Sequence, residues 1–319
     1  MIHTTPTDRS ESMNLPELLE RGWEVSRSLH GNTLTVHVPG MFVVNGRRGR
    51  FRAVSITGDR CDLECEHCKA SLLRTMPAAN TPESLMDLGM QAWNRGDHGM
   101  LVTGGCDSAG RLPWNDYLPV IRALKDRTGL ILTVHAGQVD RETARMLKDA
   151  GVDQALVDVI ADEETAREVY HLPGGTKTVR NTLDALALAG IEIIPHILFG
   201  LYYGREKGER NALEILADVP LKKYAVVVIM PKPGTPMAGI APPPPEAVAR
   251  FLALARLRLP KLQASLGCAR PRGRYRHELD VLAIRAGINA LALPSDQAIA
   301  EAEARGLEVR YRETCCSLG

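Results

Sequence analysis

Aromatic residues are scarce in this chain: Phe, Trp and Tyr make up 4% of 319 residues. Proteins that hold single-stranded nucleic acid stack its bases on aromatic rings, so the composition argues against that class. A surplus of one charge is missing too. The 39 Lys and Arg stand against 38 Asp and Glu, for a net charge of +1. No broad field then draws nucleic acid or an anionic membrane. No uninterrupted apolar run reaches the roughly 18 residues that mark a membrane-crossing helix. The stretch from Met1 to Ser10 lacks the apolar core of a secretory signal. These absences predict a soluble, cytoplasmic protein with neither nucleic acid nor membrane as partner.

What is present is a hydrophobic content of 45%, ample for a large core. From residue 52 onward, short apolar runs alternate with longer amphipathic ones. Strands are predicted at 52–57, 99–103, 130–135, 154–160, 191–198, 224–230, 262–267 and 288–293. Helices are predicted at 82–95, 114–126, 140–150, 176–189, 208–217, 244–260, 275–286 and 295–305. Thr81 before Pro82 is an N-cap followed by a proline at the first helical position. Asp140 can cap its helix, and Gly151 and Gly190 mark helix ends. Eight strand–helix repeats with buried-type strands predict an α/β fold, a parallel β/α barrel of TIM type, fully or nearly closed. A doubly wound open sheet is the alternative. Residues 1–50 read as an N-terminal extension, with a helix at 15–24, a strand at 33–38 and a basic turn at 46–50. Residues 51–305 form the barrel. Residues 306–319 form a tail that begins with a strand at 307–311 and is expected to fold over the barrel mouth.

Seven cysteines in a cytosolic chain point to metal or redox chemistry more than to disulfides. Cys61, Cys65 and Cys68 stand at spacings of four and three, directly after the first strand. A zinc knuckle of Cys65, His67 and Cys68 is one reading, but no second ligand pair lies at the usual distance. A [4Fe–4S] cluster is the other. Closed clusters use four thiolates, so three leave one iron open to a small chelating molecule. The loop falls at the C-terminal end of strand one, where barrel enzymes carry their chemistry. Gly104, Gly105 and Cys106 end strand two; glycines let the backbone approach a ligand closely. Cys106 is either a buried, apolar-like cysteine or a ligand facing the cavity. His135, Asp158 and His196 fall on strands three, four and five, near their ends. A carboxylate at such an end needs a partner, whereas a lone strand histidine is commonly a hydrogen-bonded core residue. The run from Pro231 to Pro236, with Pro242 to Pro245, is a rigid turn after strand six.

Cys268 falls at the top of strand seven, and Cys315 and Cys316 lie on the tail. With Cys106 they make four thiols at one end of a barrel, enough for a second cluster. Adjacent cysteines reach one cluster awkwardly, so Ser317 is a substitute oxygen ligand. The plainer alternatives are incidental tail cysteines or a vicinal redox pair. Arg270 and Arg272 either steady that cluster, bind substrate or are surface residues.

The C-x3-C-x2-C spacing, with His67 in the aromatic slot before the last cysteine, resembles the signature of the radical S-adenosylmethionine (SAM) superfamily. The resemblance implies that Cys61, Cys65 and Cys68 hold a [4Fe–4S] cluster whose open iron binds the amino and carboxylate groups of SAM. An electron then cleaves SAM to a 5′-deoxyadenosyl radical. In that family a Gly-Gly-Glu at the end of strand two binds the SAM amino group; here Gly104 and Gly105 match and Cys106 departs. The stretch from Pro195 to Gly200 resembles the strand that supports the adenine. With it, Asp158 and His196 become expected SAM contacts. The stretches 230–237 and 267–295 resemble the biotin-synthase-like branch. At the level of strand order the resemblance covers roughly residues 50–300.

Biotin synthases and lipoyl synthases use an auxiliary cluster as a sacrificial sulfur donor, and in lipoyl synthases a serine near the C-terminus is one of its ligands. This chain lacks the additional N-terminal C-x4-C-x5-C of single-chain lipoyl synthases. It looks more like a subunit of the two-component lipoyl synthases. That resemblance implies sulfur insertion into an unactivated C–H of octanoyl-lysine. The implied partners are an octanoylated carrier protein or lipoyl domain and a second radical SAM subunit. The implied donor is an auxiliary iron–sulfur cluster held by Cys106, Cys268, Cys315 and Cys316. Two other readings are a biotin-synthase-like enzyme that rearranges or cleaves an amino-acid-derived molecule without sulfur donation, and a non-enzymatic iron–sulfur scaffold.

Overall fold

The structure is a computed structural model that describes residues 12–40 and 42–318. The N-terminal residues behind the signal-sequence reading, and Gly319 at the end of the tail, lie outside that range. A helix, Leu15–His30, leads to β1 (Thr33–His37) and a small antiparallel hairpin of β2 (Val43–Val44) and β3 (Arg47–Arg48). Then come β4 (Phe51–Ser55), β5 (Gly99–Thr103), β6 (Ile131–His135), β7 (Gln154–Asp158), β8 (Glu192–Phe199), β9 (Lys223–Val228), β10 (Gln263–Leu266), β11 (Ala290–Ala292) and β12 (Glu308–Arg312). Helices separate these strands from β4 onward, as the alternation predicts. Their ends carry the expected chemistry. Thr81 and Ser84 form a reciprocal capping box before Pro82–Asn94, and Asp140 accepts from the Thr143 amide at 2.8 Å. Val179, Leu183 and Leu186 share one fully buried face of Gly175–Ala189.

Ten strands form one parallel sheet in the order β12-β1-β11-β10-β9-β8-β7-β6-β5-β4. Strands β4 to β11 run in chain order, so the fold is the expected α/β barrel. It is nearly closed, with β4 and β12 as edges. The seam between those edges is crossed by a hydrogen bond from the Arg50 amide to the Glu313 carbonyl at 2.7 Å and by the Arg50–Glu313 ion pair at 2.9 Å. A sheared barrel brings the end of one strand beside the start of another, and here the end of β12 meets the start of β4.

Two expected boundaries need correction. The N-terminal extension is not separate from the barrel, because β1 lies between β11 and β12, pairing Thr35 with both Ala290 and Arg310. Its alternation drives this: Leu34 and Val36 are fully buried on one face, while Thr33, Thr35 and His37 line an interior cavity. The tail does not lie across the mouth. The stagger at the seam releases it low in the barrel, and it turns inward. Ser317 is fully buried. Its carbonyl accepts from Lys223 Nζ at 2.9 Å and Gln154 Nε2 at 3.4 Å, the first residues of β9 and β7.

A buried ion pair braces the last strands. Arg270 and Asp280 side chains have no solvent exposure and meet at 2.7 Å. Arg270 also donates to the carbonyls of Gly267 and Leu293, and Asp280 accepts from the Ser295 amide. Arg270 is therefore a brace under the Cys268 loop, neither a surface residue nor a substrate contact; Arg272 is exposed. Removing one partner leaves the other charged and buried. Asp280→Ala should lower stability by about 3–5 kcal/mol, measured by urea unfolding of the purified chain.

Candidate active site

The Cys61–Cys68 loop follows β4 and is bent by three non-glycine residues in the left-handed region: Glu64, Lys69 and Ala70. Such backbone strain persists only where surrounding contacts fix it. Here the Asp62 amide donates to Cys106 O at 2.7 Å, the Glu66 amide to Val169 O at 2.9 Å, and a His171 ring nitrogen lies 2.7 Å from Leu63 O. The neighbouring Gly105 has no room for a side chain, since a Cβ there would stand 2.0 Å from Arg60 O and 2.4 Å from Cys61 Cβ. Its amide donates to Thr57 Oγ1 at 2.6 Å. Gly104 is packed similarly against Ile56 and Thr57. The two glycines thus let the end of β5 close on the cysteine loop.

Cys65, His67 and Cys68 each offer a ligand atom within 4.8 Å of the others. The Cys106 amide donates to Cys61 Sγ at 3.4 Å, and the Cys65 thiol to Tyr170 O at 3.2 Å. A hydrogen bond from Cys65 is the main cause that holds the Cys68 thiol below the ordinary range, while the same bond and burial push Cys65 up. Metal ligation requires thiolates, so loading displaces the protons these thiols carry. His67 Nδ1 is buried without a partner, and its ring stacks on Tyr170 with centroids 5.5 Å apart. The three cysteines fit a cluster held at three corners. Zinc ligation by Cys65, His67 and Cys68 would leave Cys61 outside, its sulfur held by the Cys106 amide.

Cys106 is placed differently from its expected role. Its thiol is pushed up to about 12, by burial first and then by Cys61, with Asp158 and Cys68 also contributing. It belongs beside the signature loop, because the Gly104–Gly105 turn carries it there. The other three cysteines lie near enough to one another to interact electrostatically. Cys316 hydrogen-bonds to Cys315, and both feel the charge of Cys268 or impose theirs on it. The bond from Cys316 is the main cause that lowers the Cys315 thiol, helped by Ser317. Ser317 Oγ is buried, and the Cys315 thiol is the group it bears on. Three cysteines beside a buried hydroxyl suit a cluster with one oxygen ligand. A cavity of about 140 Å³ reaches Cys316 from the side of His37, Lys223 and Ser265. His37 is pushed down to about 3 by burial and by Lys223.

Between the two cysteine groups lies a polar chain. Tyr170 Oη donates to Asp158 Oδ2. Asp158 Oδ1 is 4.0 Å from His135 Nε2, and His135 stacks on His196 at 5.8 Å. Burial pushes His196 down to about 4, with His135 adding to the shift. Tyr170 went unread in the sequence. It follows a one-and-a-half-turn helix, Glu163–Glu168, whose signal was Asp162, an N-cap that accepts from the Thr165 amide at 2.8 Å. The expected Gly234-Thr235-Pro236 stretch is a turn closed by Thr235 Oγ1 on Lys232 O.

Comparison with known proteins gives the family. Residues 55–219, just over half of the chain, match the model of the Radical SAM superfamily. A biotin synthase of Brucella ovis is 31% identical over 193 residues, 58% of this chain and 56% of that protein; the Brucella melitensis protein matches equally. The chain thus aligns with little more than half the length of these curated relatives. Among solved structures, methylornithine synthase superposes with a TM-score of 0.67 at 17% identity, covering 96% of this chain and 93% of that one. A maturase of the [FeFe]-hydrogenase gives 0.67 at 16% identity, with 95% and 71% covered. These two likenesses concern the fold. No helix among the described residues is long and apolar enough to cross a membrane.

Proposed function

Because the chain belongs to the radical SAM superfamily, with a [4Fe–4S] cluster and SAM as its cofactors, we propose that it inserts sulfur into an unactivated C–H bond of a protein-bound octanoyl-lysine. In this reading it is a lipoyl-synthase-type sulfurtransferase that works with an octanoylated carrier or lipoyl domain and a second radical SAM subunit. The observation that carries it is the placement of Cys268, Cys315, Cys316 and Ser317 near enough for their charges and hydrogen bonds to bear on one another. The kinship with biotin synthases supports sulfur chemistry.

Cys61, Cys65 and Cys68 would hold the SAM-binding cluster, and Cys268, Cys315, Cys316 and Ser317 the auxiliary one. The first would supply the reducing electron for SAM cleavage, and the second would supply sulfur for the substrate carbon. The chain does the positioning. The backbone at Gly104 and Gly105 passes close to the signature loop. The Ser317 carbonyl, tied to Lys223 and Gln154, fixes the tail cysteines across the barrel from that loop.

The test is anaerobic incubation of reconstituted protein with SAM, reductant, an octanoyl-lysyl peptide and the partner subunit. A mass gain matching thiolation of the peptide, in step with 5′-deoxyadenosine, is the expected result. SAM cleavage with an unaltered peptide would refute the assignment.

A further inference from the structure

We propose that His135, Asp158 and His196 form a site for one divalent transition-metal ion, separate from both cysteine groups. This inference does not depend on the sulfur-insertion reading. The three residues stand at the ends of β6 and β7 and midway along β8, on adjacent strands of one sheet. The register fixes them: His135 pairs with Leu156, and Asp158 pairs with His196. One ligand atom from each lies within 4.8 Å of the other two. The imidazole planes differ by 17°, so the two rings lie nearly parallel.

The side chains do not satisfy one another. A buried histidine in a core normally has hydrogen-bond partners, yet His196 is 7% exposed and its Nδ1 is shut from solvent with no partner. His135 and Asp158 approach at 4.0 Å, beyond a hydrogen bond. Asp158 has no Lys or Arg partner among the described residues. Its Oδ2 accepts from Tyr170 Oη, which leaves Oδ1 turned to His135. A carboxylate so oriented by a second residue, beside two imidazoles, is the arrangement that metal sites use to fix their ligands.

Two imidazole nitrogens and one carboxylate oxygen suit zinc, ferrous iron or manganese with open coordination positions. Ligand atoms around such an ion stand about 3 Å apart, given bonds of about 2.0–2.2 Å. Side-chain rotation has to draw this trio together by roughly 1 Å on loading, without moving the strands. Asp158 and His196 then act as metal ligands in place of the SAM contacts expected from the family.

The probe is manganese, added to the cluster-reconstituted chain and followed by the six-line EPR signal of the free ion. One ion per chain should be captured, and zinc should release it. His196→Ala and Asp158→Asn should each weaken capture at least about tenfold, and Tyr170→Phe by about tenfold or more. Signal that stays free at every protein concentration, or capture unchanged in all three variants, overturns the site. A measurement without variants guards against misfolding: zinc K-edge absorption of the zinc-loaded parent chain. Nitrogen and oxygen neighbours with imidazole outer shells support the proposal. A sulfur first shell places zinc on the cysteines and overturns it.

Discussion

Replacing Cys315 and Cys316 together with alanine is expected to abolish thiolated product while SAM cleavage continues. Iron should fall from about eight to about four per chain, the content of one cubic cluster. The argument rests on how the tail is held. Its anchors are backbone groups: the Ser317 carbonyl receives Lys223 and Gln154, and Arg50 donates to the Glu313 carbonyl. Thr314 Oγ1 meets His37 Nδ1 at 3.1 Å. None of these involves a thiol, so the alanine variant keeps the tail inside the barrel and removes ligands alone. The signature loop is tied to other elements, at Cys106, Val169 and His171, and has no bond to the tail among those described. Iron quantification and mass spectrometry of the same preparation read both effects. Full turnover in the variant would refute a donor role for the tail. It would favour a rearrangement or cleavage of a small molecule instead.

The order of the eight central strands was legible because each is a short apolar run between amphipathic helices, and buried parallel strands have that texture. Sequence also placed Cys61, Cys65 and Cys68 in one loop after β4, since spacing within a loop is local information. What it could not carry was shear. Whether the end of β12 lies level with the top or the start of β4 depends on the stagger summed around ten strands, and no single segment encodes it. The tail was therefore expected over the mouth, when the seam sends it inward. Cys106 failed for a related reason. A residue at the top of β5 can face either cysteine group, and the choice is made by Gly105, whose contact with Arg60 and Cys61 is a tertiary fact. β1 was recognised as a strand, but its place between β11 and β12 depends on partners more than 250 residues away in sequence. The metal-like trio was visible only as three separate strand residues, and adjacency of β6, β7 and β8 brought them together.

Replacing Cys61, Cys65 and Cys68 with alanine should reduce 5′-deoxyadenosine formation to the background of the reductant alone, yet leave about four irons bound. The loss is complete because an open iron needs the other three held, and Cys106 cannot stand in. Burial pushes its thiol to about 12, so it gives up its proton reluctantly. The loop should keep its path, since the amides of Asp62 and Glu66 and the carbonyl of Leu63 are bonded independently of the sulfurs. Mössbauer spectroscopy of the variant then reports the tail cluster without overlap. If Cys268, Cys315, Cys316 and Ser317 hold it, one iron has an oxygen neighbour and its signal separates from the other three. Ser317→Ala in the same background should merge or remove that component, because it takes away the oxygen ligand. Should no iron remain in the triple variant, the tail cysteines carry no cluster, and the sulfur source must lie outside this chain.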